Sequence, residues 1–213
     1  MLGAKIGDYH TVNNFGLGWL GMSISEAKVK THYIEIEGRD GPLDATEALS
    51  GRPVYEQRTL ILTFDVRGSW EDYMTRCSSI DSATNGKLLK IFLDIDPQYF
   101  WIGRGTWKHT KTADGDETHT FTAKVEPFKY KKTLTQTSAR GGQTVTLSNL
   151  QAPSYPLFST TSGNIQVKFG TVSVLIPSGT DVPMYDITLL EGSNTLTFTG
   201  SGSITIKYQE GTL

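Results

Sequence analysis

Between Thr59 and Val66 the chain reads TLILTFDV, a β-branched and apolar run that predicts a well-buried strand. Upstream, Lys30–Glu37 alternates with a period of two. Tyr33 and Glu35 face opposite to Ile34 and Ile36, which predicts a second strand. Gly38-Arg39-Asp40-Gly41-Pro42 must then turn. After the buried run the period becomes helical. Trp70, Tyr73, Met74, Cys77 and Ile80 share one face, Ser69 is placed to cap it, and Asp72 takes the third helical position. Asn85-Gly86 ends that element with a turn. Strands are expected at Lys87–Leu93, Tyr99–Gly103 and Thr118–Tyr130, with Asp114-Gly115-Asp116 as a hairpin tip between the last two. Further on, Gln143–Leu147, Asn164–Phe169, Ser173–Ile176, Asp186–Leu190, Asn194–Phe198 and Ser203–Tyr208 are separated by Gly, Pro, Asn and Ser turns. That spacing suits a small antiparallel sandwich or barrel. The pattern predicts a mainly β protein with one helix.

Composition divides the chain. Residues 1–130 hold 15 Lys+Arg, 18 Asp+Glu and all four tryptophans, whereas residues 131–213 hold 5 and 4 and are rich in Ser, Thr and Gly. Such a shift predicts two domains, 1–130 and 131–213, joined through a polar linker within Lys131–Gly142. The net charge of −2 provides no basic excess for duplex nucleic acid or an acidic membrane, so neither specific nucleic-acid binding nor membrane insertion is expected. A single cysteine, Cys77, excludes an intramolecular disulfide framework and fits a reducing cytoplasm. No secretory signal or long apolar span is visible, and a soluble protein is expected.

Candidate chemistry is sparse. Asp94-Ile95-Asp96 after the apolar Ile91-Phe92-Leu93 is similar to the nucleophile strand of haloacid-dehalogenase-type phosphatases. Gln98 stands where those enzymes carry threonine, and one helix is too few for a parallel α/β sheet. Asp114-Gly115-Asp116-Glu117 lacks the remaining ligands of a calcium loop and reads as a solvated hairpin tip. His109 and His119 can meet across that hairpin as an exposed cross-strand pair, and Cys77 has no sequence partner, so no metal site or cofactor is expected. Lys108, Lys111, Lys124, Lys129, Lys131 and Lys132 read as strand-edge lysines that discourage edge pairing. No phosphate loop, nucleophile elbow or dinucleotide fingerprint occurs, and no enzyme is expected.

Several segments, taken in order, resemble a known family. They are Phe15-Gly16, the IEGRDG stretch Ile36–Gly41, and Leu43-Asp44-Ala45-Thr46-Glu47-Ala48-Leu49-Ser50-Gly51. Tyr55-Glu56-Gln57-Arg58 leading into the apolar strand, the helix after it, and ITIKYQEG at Ile204–Gly211 complete the set. The chain resembles the distal tail (Dit) proteins of long-tailed, non-contractile (siphovirus-type) bacteriophages, of phage or prophage origin. The resemblance implies a ring-forming first domain, a β-barrel or sandwich with one helix, and a second, peripheral, galectin-like β-sandwich. It further implies a hexameric ring at the virion tail tip, assembled in the bacterial cytoplasm. That ring joins the tail-tube protein to a tail-tip hub (tail-associated lysin-type) protein and a receptor-binding protein, and lets DNA pass. Within the polar loop region, Arg39, Asp40, Asp44, Glu47, Arg52, Tyr55 and Arg58 are candidates for subunit or tube contact. The alternative is a carbohydrate-binding module for host adhesion. Tyr155 and Phe158, in a Pro-flanked loop, are its glycan-contact candidates.

Overall fold

Alternation governs the first half of the computed structural model, which describes residues 1–161 and 163–213. Leu60, Leu62 and Phe64 point inward from one strand, and Phe121, Ala123 and Val125 from its neighbour, all essentially without exposure. The chain divides into two units, residues 1–97 with 101–127 and residues 98–100 with 128–213.

The first unit contains β1 (Ala4–Ile6), β2 (Tyr9–His10), α1 (Thr11–Phe15), β3 (Gly18–Ile24), β4 (Tyr33–Ile34) and β5 (Leu43–Asp44). It continues through β6 (Arg58–Arg67), α2 (Trp70–Thr84), β7 (Leu88–Leu93), β8 (Tyr99–Lys111) and β9 (Asp116–Val125). Its sheet runs in the order β2-β1-β7-β8-β9-β6-β3. The register of β6 on β9 is unbroken from Arg58↔Val125 to Arg67↔Asp116, and that of β8 on β9 from Gly103↔Val125 to Lys111↔Glu117. Continuous register keeps every inward residue in one core, where Ile80 of α2 joins Leu60, Leu62, Phe64 and Phe121. The predicted cap forms in full: Ser69 Oγ accepts from Asp72 N at 3.1 Å, and Asp72 Oδ2 accepts from Ser69 N at 3.1 Å. The structure adds the short α1, which His10 caps by accepting from Val12 N at 3.3 Å and Asn13 N at 3.5 Å.

The second unit contains β10 (Lys129–Lys131), β11 (Thr135–Arg140), β12 (Thr144–Asn149), β13 (Leu157–Thr160) and β14 (Ile165–Phe169). Then follow β15 (Val172–Ile176), β16 (Gly179–Pro183), β17 (Gly192–Thr199), β18 (Ser203–Tyr208) and β19 (Gly211–Thr212). Two four-stranded antiparallel sheets, β11-β18-β13-β16 and β12-β17-β14-β15, share one core. Phe158, Ile204 and Ile206 come from the first sheet, and Leu147, Val167, Leu196 and Phe198 from the second. Beside the sandwich, β10 pairs with β19 and with Tyr99 and Phe100. Glu210 is anchored there, its carboxylate accepting from Lys131 Nζ at 2.5 Å and from Thr135 Oγ1. Burial raises the Glu210 pKa, but the hydrogen bonds from Lys131 and Thr135 outweigh it and hold the carboxyl below its usual range.

Four expectations are corrected. The strand expected over Lys30–Glu37 shrinks to the two residues of β4, because nothing packs on either face of the segment. The linker expected within Lys131–Gly142 is largely strand: Thr135–Arg140 pairs with β18 over six positions. Its polar Thr-Gln-Thr-Ser sequence hides a strand with few inward residues, chiefly Ala139. Asp186–Leu190 forms only the isolated bridge Leu189↔Ser154, although Ile187 and Leu189 are core residues. Finally, β8 does not stop at Gly103. A Cβ on Gly105 would lie 2.3 Å from Cζ of Phe121, so this glycine makes room for the ring and the strand continues to Lys111.

Gly105→Ala is therefore expected to destabilise the protein by about 1–3 kcal/mol through overpacking, read as a lowered midpoint in chemical denaturation. Glu210→Gln is expected to cost on the order of 1–2 kcal/mol near neutral pH. A carboxyl held below its unfolded pKa adds stability above that value and loses it as pH falls through the folded pKa. The gap between wild type and Glu210→Gln should thus close on acidification below the ordinary carboxylate range.

Candidate functional site

Between β3 and β6 the chain leaves the sheet and returns as an arm. Its base is tied by Ser25 N to Thr59 O at 2.9 Å and by Arg58 Nε to Ser25 O at 2.8 Å. Farther out, Glu56 N donates to Lys28 O at 2.8 Å, Lys30 N to Val54 O at 2.7 Å, and Ala45 N to His32 O at 2.8 Å. β4 and β5 pair near the tip, and Gly38 and Gly41, at φ 81° and 72°, supply the left-handed turns between them. Residues 28–44 are exposed without exception. Several are apolar: Tyr33 is 54% exposed, Ile36 44%, and Leu49 beyond them is fully exposed. Apolar side chains held in water on a hydrogen-bonded ribbon are what a protein-contact surface presents.

The seven predicted contact residues fall on this arm in graded positions. Arg39, Asp40, Asp44 and Glu47 are exposed; Arg52, Tyr55 and Arg58 are half-buried nearer the base. Asp44 Oδ1 accepts from Thr46 N at 2.9 Å, and the Thr46 hydrogen bonds lower its pKa. A shallow groove brings Asp44 and Glu47 together with Val29, Thr31, Thr46 and Pro53. Arg58 and Arg52 also serve the fold, since the Arg52 guanidinium donates to Pro53 O at 3.0 Å.

A second site lies between α2 and the β8–β9 hairpin. Strand alternation puts Glu117 and His119 on the same inward face as Phe121, Ala123 and Val125. Glu117 has no side-chain exposure and meets two cationic side chains and one imidazole. Lys111 Nζ lies 2.9 Å from Oε1, Arg76 reaches Oε2, and His119 Nε2 is 3.2 Å from Oε2. Burial raises the Glu117 pKa, but Lys111, His119 and Arg76 together bring it below the usual value. Lys111 is itself buried and also donates to Gly68 O at 2.6 Å. Across the hairpin His109 and His119 are in register, their Nδ1 atoms 2.7 Å apart, and His109 Nε2 is 3.5 Å from Asp81 Oδ1. Cys77 completes the group: one ligand atom each from Cys77, His109 and His119 lie within 4.8 Å of one another. Burial pushes the Cys77 thiol up and the His119 imidazole down, favouring their neutral forms.

These positions correct several readings. The histidine pair is not exposed, because α2 covers it, and Cys77 has partners that no sequence spacing displays. Glu117 is core rather than part of a solvated tip, while Asp116 stays outside and pairs with Arg67 at 2.8 Å. Lys108, Lys111 and Lys124 sit on the central strands β8 and β9, not on edges. Asp94 lies 3.2 Å from His10 Nε2, and the strand before it runs antiparallel to β1, unlike a phosphatase nucleophile strand. Phe158 is withdrawn as a glycan contact: it is fully buried, edge-on to Phe198 in the sandwich core. The exposed aromatic partner of Tyr155 is instead Tyr185, 72% exposed with ring centroids 5.6 Å apart. The signal for the buried cluster was present in DETHTFTAKV, whose alternate residues run from Glu117 to Val125 on one face.

No helix among the described residues is long and apolar enough to cross a membrane. No family model matches the chain, and no curated protein matches it. Among solved structures it is similar to the crystal structure of SPP1 Dit (gp 19.1), described as a paradigm of hub adsorption apparatus in Gram-positive infecting phages. The likeness has a TM-score of 0.69 at 14% sequence identity and covers 100% of both chains. The chain therefore has the Dit fold, mainly β throughout, as the sequence resemblance implied.

Limited trypsin digestion is expected to cut first at Lys28, Lys30 and Arg39 on the exposed arm, leaving the paired strands intact. Mass spectrometry of the earliest fragments checks this. First cuts within β6, β8 or β9 would contradict the arm's description.

Proposed function

We propose that this protein is the distal tail hub protein of a siphovirus-type phage or prophage. The observation that carries the reading is the end-to-end likeness to SPP1 Dit, which spans both chains completely. Residues 1–130 form the ring and residues 131–213 a galectin-like peripheral domain. The ring is hexameric, sits at the virion tail tip, and is assembled in the host cytoplasm. It joins the tail-tube protein to the tail-tip hub protein and the receptor-binding apparatus, and its lumen passes DNA.

The first unit supports a ring in physical terms. Its sheet path ends in β2 and β3, and open strand edges are liabilities that closure between copies removes. The arm from Ser25 to Arg58 supplies the rest of a docking surface. It presents Arg39, Asp40, Asp44 and Glu47 beside the exposed Tyr33, Ile36 and Leu49. Charged and apolar groups side by side give a contact both register and burial.

A second reading, carbohydrate binding by the peripheral domain, draws on the exposed Tyr155–Tyr185 pair. The rings meet edge to face at 64°, and each exposed tyrosine offers an apolar ring with a hydroxyl at its rim. Loss of glycan binding in Tyr185→Ala, measured by ligand-observed NMR on the intact protein, is its expected signature.

Light scattering across a concentration series, with negative-stain images of the largest species, tests the hub reading. A six-subunit annulus is expected from the protein alone or with tail-tube protein added. Replacing Leu49 by Asp together with Arg39 by Glu should weaken assembly without changing the circular dichroism spectrum. A strict monomer that neither tail-tube protein nor high concentration converts to a ring would overturn the reading.

A further inference from the structure

We propose that Cys77, His109 and His119 form a binding site for a zinc-type divalent transition metal. Proton placement carries the argument. His119 Nε2 lies 3.2 Å from the Glu117 carboxylate, and His109 Nε2 lies 3.5 Å from that of Asp81. Carboxylates accept, so each Nε2 carries a hydrogen. A neutral imidazole then has a lone pair on Nδ1, and the two Nδ1 atoms face each other only 2.7 Å apart. Two lone pairs at that distance require a positive centre between them, a proton or a metal ion. The Cys77 sulfur decides for the metal: its ligand atom and those of both histidines lie within 4.8 Å.

The donor set is that of zinc and its neighbours, two imidazole nitrogens and one thiolate. Bond lengths of about 2.0–2.1 Å to nitrogen put two tetrahedral nitrogens roughly 3.3 Å apart, so the rings must separate by about half an ångström. Water completes the fourth position. Each histidine already has the carboxylate that orients a metal-bound imidazole, Glu117 behind His119 and Asp81 behind His109. Binding releases the Cys77 thiol proton, and any proton shared by the two Nδ1 atoms, to solvent. Cys77 is half-buried and the His109 side chain keeps 10% exposure, which leaves the ion a path from solvent.

The ion would clip α2 to the hairpin. That helix buries little apolar surface of its own: Trp70 and Met74 are 58% and 62% exposed, and Ile80 and Thr84 are its buried residues.

The test uses the full chain after chelator treatment. Zn2+ is titrated against a chromophoric competitor, and Co2+ serves as an optical probe of the thiolate. One Zn2+ per chain is expected, with a Co2+–thiolate charge-transfer band. Cys77→Ser and His109→Gln should abolish binding, and Asp81→Asn should weaken it about tenfold. His32→Gln, on the exposed arm, should bind like wild type, and circular dichroism must show that each variant is folded. Wild-type protein that binds no Zn2+, gives no thiolate band with Co2+, or binds no more tightly than Cys77→Ser overturns the proposal.

Discussion

A carboxylate without solvent has to be surrounded by charge, and Glu117 is such a carboxylate. Lys111 from β8, Arg76 from α2 and His119 from its own strand meet it from three directions. Breaking a buried pair by removing one partner typically costs about 3–5 kcal/mol, because the other charge is left stranded. The helix is therefore positioned as much by Arg76 as by Ile80. Lys111 in turn donates to Gly68 O and Gly115 O, which ties the hairpin to the segment ahead of α2. Trp107 Nε1 donates to Thr84 Oγ1 at 2.8 Å, a polar tie near the other end of the helix. Core and network are one construction: the alternation that supplies Phe121, Ala123 and Val125 to the apolar part supplies His119 and Glu117 to the polar part.

How much of this could be read from sequence depended on whether the signal was local. The helix was legible because its cap and face lie within a few residues, and Ser69, Asp72 and Ile80 behave as their spacing requires. β6 was legible because TLILTFDV is dense in β-branched and apolar residues, with Leu60, Leu62 and Phe64 all on one face. β11 was not, since Thr135–Arg140 has almost no inward apolar residue and exists as a strand because β18 pairs with it. The buried cluster was half legible. Alternation in β9 was visible, but the approach of Cys77 depends on how α2 lies over the hairpin, which no spacing encodes. Side-chain exposure failed in the same way: Phe158 lies in the core and not in an open loop, because sandwich packing, not flanking prolines, decides what faces water.

The arm shows the opposite economy. It has a ladder of backbone hydrogen bonds but no core of its own, so its shape is held while its side chains remain available. Its contact candidates were read from polarity and resemblance. The structure adds the grading from exposed tip residues to base residues such as Arg58, which already close the fold. Substitutions at base residues such as Arg58 act on stability.

The register of the sandwich has a consequence for how the chain is made. β11 pairs along its whole length with β18, which lies near the opposite end of the unit's sequence, and β13 also rests on β18. Neither β11 nor β13 can complete its sheet until β18 has left the ribosome. The first unit's long β6–β9 ladder, by contrast, closes by Val125. Synthesis thus separates the two events in time, with an early fold followed by a span in which Ala139 and Phe158 wait without their shared neighbour. Sheets closed by distant strands form slowly and leave apolar edges open meanwhile. For this chain that interval, rather than the finished protein, is when aggregation and chaperone capture compete with folding.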